Sequence, residues 1–71
     1  MVYSDIKNYG LLGILPKKKR YGTKKDKQIV REAVLNNKDF LQFAFDGNAT
    51  EYGLEKVVNF VIKCNEAFYE V

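Results

Sequence analysis

The chain has 71 residues, with twelve Lys and Arg against nine Asp and Glu, one cysteine and no histidine. That excludes a Ser-His-Asp or Cys-His site, a disulfide within the chain, and a thiolate zinc site built from this chain alone. So short a chain makes one domain, 1–71, and is marginal when alone, so self-association or a partner is expected.

Charge divides the chain. Residues 1–28 hold eight Lys and Arg against two Asp, a net of +6, and residues 29–71 hold four against seven acids, a net of −3. A basic N-terminal segment, 1–25, therefore precedes a mildly acidic helical body, 26–71. Such asymmetry points to a polyanionic partner or to head-to-tail association. The apolar run Tyr9–Leu15 precedes the basic cluster, the reverse of a signal peptide, and is too short to span a bilayer. With a single cysteine, these features predict a cytoplasmic protein with no membrane contact. Pro16–Arg20 also matches a short import signal, which would make it nuclear in a eukaryote.

In chain order, Ser4 can cap a helix over Asp5–Leu12, with Asp5 favourably near its N-terminus. Gly10 and Gly13 weaken that helix, Pro16 ends it, and an extended Leu11–Leu15 is the competing reading. Lys17–Gly22 reads as a loop, because like charges repel and Gly22 favours a turn. Thr23 or Asp26 caps the next helix, whose Ile29, Val30, Ala33 and Val34 share one face. A break at Asn36-Asn37 is favoured, with Asn37 or Asp39 capping a helix to about Phe45. Phe40, Leu41 and Ala44 continue the apolar stripe. Asp46-Gly47-Asn48 is a stop, with Gly47 suited to a left-handed position. Thr50 caps the last helix. Its stripe Leu54, Val57, Val58, Val61, Ile62, Asn65, Phe68 and Tyr69 favours one continuous helix to Tyr69, although an internal repeat argues for a break near Asn65. The fold class is all-α, a small orthogonal bundle of three to four helices.

That repeat lays residues 29–43 over 57–71, an offset of 28. Val30 meets Val58, Asn37 meets Asn65, and Phe40 meets Phe68. A period of this length is typical of helical units that bury one face against each other. Asp26-Lys27-Gln28-Ile29-Val30-Arg31-Glu32-Ala33-Val34-Leu35-Asn36-Asn37, followed by Phe40-Leu41-Gln42-Phe43-Ala44, resembles a unit of the short helical repeats of the DUF4116 family. Glu55–Val71 resembles the unit more loosely, and residues 1–25 do not. The resemblance implies a helical repeat and carries no activity.

Little here supports chemistry. Glu51/Glu55 and Glu66/Glu70 are i, i+4 pairs of the kind found on solvated helix faces. Gly10-Leu11-Leu12-Gly13 is formally a GxxG, but two leucines suit a buried turn better than a phosphate clamp. Cys64 reads as a small core residue. No enzyme activity, cofactor or metal is expected. The one constellation with a job to offer is Lys17, Lys18, Lys19, Arg20, Tyr21, Lys24 and Lys25. Cations neutralise phosphates or acidic side chains, and a tyrosine ring can stack on an unpaired base. The plain alternative is a loop that only aids solubility. Reading of a DNA groove by a helix-turn-helix is disfavoured, because Asp39–Phe45 has no Lys or Arg.

The sequence therefore predicts a small non-catalytic binding protein, an adaptor or inhibitor of the size of a viral or phage accessory protein. It would meet an acidic protein or nucleoprotein through the basic segment, anchored by Tyr21, Phe43, Phe45 and Phe60. Direct DNA or RNA binding through Lys17–Lys25 is the second reading, and a structural homo-oligomer the third.

Overall fold

Helix starts are set by short polar side chains. The side-chain oxygens of Thr23, Asn37 and Thr50 accept from the backbone N–H of Asp26, Phe40 and Gly53 at 3.2, 3.1 and 3.1 Å. Each satisfies a donor that the first helical turn leaves orphaned. The computed structural model describes residues 1–70. It holds α1 (Tyr3–Asn8), α2 (Lys24–Leu35), α3 (Lys38–Phe45) and α4 (Glu51–Phe68), with no strand among the described residues. The fold is all-α, and α4 runs through Asn65 without a break. Val71, the end of the looser repeat copy, lies outside the described residues.

The first helix differs from its expected form. It starts two residues earlier, Ser4 lies inside it, and the Asp5 carboxylate accepts from the Val2 N–H at 2.9 Å. It stops four residues sooner, because Gly10 turns left-handed at φ 74°. Leu11 N–H then reaches Ile6 C=O at 3.0 Å and Gly10 N–H reaches Lys7 C=O at 3.1 Å. These two bonds are a Schellman motif, and the buried Ile6 and Leu11 supply the apolar pair that accompanies it. Residues 11–15 are irregular, with a turn at Leu12-Gly13 and a bend at Ile14-Leu15, and form neither helix nor strand. After α3 the left-handed stop includes Asp46 (φ 53°) as well as Gly47 (φ 88°).

The core is one cluster. α4 contributes Leu54, Val58, Val61, Ile62 and Cys64, α2 contributes Val30 and Val34, and α3 contributes Phe40. The N-terminal arm closes it with Ile6, Leu11 and Leu15, each no more than 2% exposed. The largest helix–helix interface is α2 on α4. The expected α4 stripe is buried at Leu54, Val58, Val61, Ile62 and Asn65, with Val57 half-buried. Beyond Asn65, Phe68 is exposed and Tyr69 half-buried, where the arm and the loop that follows it border the turn.

Candidate functional site

The basic segment is a loop over residues 16–23 that leads into α2, and a buried carboxylate organises it. Asp26 is 1% exposed. Its Oδ2 accepts from the N–H groups of Gly22 and Thr23 at 3.0 and 3.3 Å, and its Oδ1 takes the Lys18 ammonium. Together with the Thr23 hydroxyl these bonds form a capping box extended to a cation. Burial pushes the Asp26 carboxyl up, but the Lys18 ammonium and the Thr23 bonds outweigh it and hold its pKa below the usual value.

Tyr21 secures the other end of the loop. Its hydroxyl donates to Pro16 C=O and accepts from Lys18 N–H, both at 3.2 Å. The Lys18 ammonium lies 5.6 Å from the Tyr21 ring centre. Lys18 and Tyr21, expected to face a partner, are thus both engaged inside the loop, and Tyr21 is half-buried. Lys17, Lys19, Arg20, Lys24 and Lys25 are exposed. Among the described residues the ion pairs are Lys18–Asp26 and Arg31–Glu51, so none of these five cations is paired.

A cleft of about 140 Å³ separates the loop from the last turns of α4. Lys17, Lys18 and Lys19 line one side, and Glu66, Tyr69 and Glu70 the other. The end of a helix carries partial negative charge, and α4 has no basic residue of its own in that turn. The loop therefore places Lys17 and Lys19 beside the acidic end of α4, while Arg20, Lys24 and Lys25 do not border this cleft.

The expected aromatic anchors do not gather at the loop. Phe43 is 48% exposed and stacks on Tyr9, with ring centres 5.1 Å apart and an interplanar angle of 29°. Phe45 and Phe60 are half-buried and pack against the core. None of these three borders that cleft, or the second one beside the loop, which Tyr21, Gly22, Asn59, Ile62, Lys63 and Glu66 line. The most exposed ring is Tyr52, at 70%, with the Lys56 ammonium 4.7 Å from its centre. Sequence reading passes over Tyr52, although its position two residues before Leu54 takes it off the buried stripe. Asp26 reads only as a cap, because an acid among lysines looks like a solvated one.

Cys64 is buried, and that burial raises its thiol pKa, which disfavours the thiolate. Across the molecule, Arg31 of α2 holds Glu51 of α4 in a bidentate pair at 2.6 and 3.2 Å. The pair lies in solvent, where such contacts add little stability. Among the described residues no cluster of three or more Cys, Asp or Glu is placed to hold a metal ion. No helix there is long and apolar enough to cross a membrane. No family model, no curated protein and no solved structure matches the chain. The likeness of residues 26–46 to the DUF4116 repeats rests on the residues alone.

Proposed function

We propose that the chain is a small, non-catalytic binding protein, an adaptor or inhibitor, that engages an acidic protein surface through its basic loop. The observation that carries this reading is the pinned geometry of the loop. Asp26, Thr23, Lys18 and Tyr21 fix its backbone, while Lys17, Lys19, Arg20, Lys24 and Lys25 remain exposed. A loop ordered in advance loses less conformational freedom on binding than a floppy one. Clustered charge of one sign also steers an oppositely charged partner and speeds encounter. An acidic protein is favoured over single-stranded nucleic acid by Tyr21. Its hydroxyl is bonded on both sides and its ring lies under Lys18, which takes it away from base stacking.

The test is a salt titration against three polyanions: an acidic polypeptide, duplex DNA and single-stranded DNA. Binding to the polypeptide that weakens with salt, and exceeds binding to either DNA, is the expected result. A duplex affinity that falls with a log–log slope of about −4 to −5, as five neutralised phosphates require, would replace this reading with nucleic-acid binding. Absence of binding to all three at low salt removes both.

A further inference from the structure

The N-terminal arm is bound to the body as a peptide is bound to a receptor. Residues 9–15 have no regular structure after the α1 stop, and the body satisfies their backbone with side chains. Asn37 donates to Tyr9 C=O at 2.8 Å. Asn65 donates to Leu11 C=O at 2.9 Å and accepts from the N–H groups of Gly13 and Leu15 at 2.8 and 3.4 Å. Tyr69 donates to Leu15 C=O at 2.7 Å. Leu11 and Leu15, four residues apart, are buried in the core cluster. Backbone clamps combined with pockets for spaced side chains are how peptide grooves work. The hinge is residues 16–22. In the closed chain the Tyr21 bonds to Pro16 and Lys18 and the Lys18–Asp26 pair hold it folded. Exchange requires those bonds to open, which the mutual repulsion of Lys17, Lys19 and Arg20 assists.

We propose that this groove accepts the arm of a second copy in place of its own, so that two chains can exchange residues 1–15 across the basic hinge. The arm of another copy is the occupant whose chemistry is on the page. It carries the same carbonyls and N–H groups for Asn37, Asn65 and Tyr69, and the same two leucines. Exchange remakes the arm's contacts with Asn37, Asn65 and Tyr69 in trans, opens the hinge's own bonds, and gives a symmetric, closed dimer. The tethered arm acts at an effective concentration of about millimolar, so the chain in dilute solution closes on itself and exchange belongs to crowded or locally concentrated protein.

The test keeps every residue of the chain. A site-specific protease sequence is inserted between the exposed Lys19 and Arg20, and the folded protein is cut there. A fluorescent peptide of residues 1–19, standing for the second copy's arm, is then offered to it. The cut protein is expected to keep its helical circular dichroism and to exchange its arm for the peptide, while the uncut protein leaves the peptide free at the same micromolar concentration. A peptide carrying Leu11→Ala and Leu15→Ala should fail to enter. One N-methylated at Gly13, which removes a donor to Asn65, should bind at least about tenfold more weakly. Because these changes lie in the peptide, folding of the body is not at issue. Loss of helix on cutting that the peptide does not restore, an arm that does not exchange over days, or equal binding of all three peptides would each overturn the proposal.

Discussion

Asn65 has no solvent exposure, yet both ends of its amide are satisfied, by Leu11, Gly13, Leu15 and the Val61 carbonyl one helical turn away. Removing the amide strands buried backbone groups of the arm, at about 1–3 kcal/mol for each one left unpaired. Asn65→Ala should therefore lose about 3 kcal/mol or more in urea unfolding. Asn65→Asp should lose at least as much, since it turns a carboxylate towards two carbonyls. A loss below about 1 kcal/mol for the alanine would show that the clamp is not holding the arm. Asp26 makes a different prediction. Its folded pKa is depressed, so its contribution to stability is fully present above the ordinary carboxylate value, about pH 4, and is lost as pH falls through the lower folded value. Asp26→Asn should cost about 1–2 kcal/mol at neutral pH, most of it from the Lys18 pair and the bonds to Gly22 and Thr23. The gap between variant and wild type should begin to narrow as pH falls below about 4 and close only below the depressed folded value. An unchanged gap at pH 2–3 would mean that the carboxylate charge is not what holds the loop. Cys64 should stay inert to a thiol reagent in the folded protein and react at the rate set by unfolding.

At the level of elements, α2, α3 and α4 could be read from the chain because their signals are local. Thr23, Asn37 and Thr50 each lie three residues before the N–H they cap, and the apolar faces repeat within a few turns. Residues 9–15 could not be read in this way. Their conformation rests on partners 28 to 54 residues away, and no window of sequence contains both ends of those bonds. The paired Asn37 and Asn65 of the 28-residue offset did carry a signal, though not the one expected of a repeat. One is a helix cap and the other sits within α4, and what they share is a grip on the arm. The α3–α4 corner offers a test of packing against propensity. A Cβ placed at Gly53 would stand 3.0 Å from the Phe45 ring and 3.1 Å from the Thr50 hydroxyl that caps the helix. On an open helix Gly→Ala gains about 1 kcal/mol. Here Gly53→Ala should gain nothing and lower the melting temperature slightly, and a clear rise would show that the corner has room to spare.

For the molecule as a whole, the split between a basic head and an acidic body is visible in the sequence, and the structure refines it. Counting charges could not reveal that Lys18 is neutralised from within, that Tyr21 is tied at both sides, or that Lys17 and Lys19 border the acidic end of α4. Those facts depend on a buried Asp26 that composition makes look ordinary. The loop thus divides its labour between two sets of residues. Lys18, Tyr21, Thr23 and Asp26 hold its shape, and Lys17, Lys19, Arg20, Lys24 and Lys25 present its charge. The most direct measurement replaces those five cations together by glutamine. It tracks both the melting temperature and binding to an acidic polypeptide at low salt, beside the wild type and Asp26→Asn. The account predicts that the five-fold variant melts within about 2–3 °C of wild type, because surface charges away from packed features contribute little to stability, while its binding is abolished. Binding that survives the loss of all five charges would contradict it.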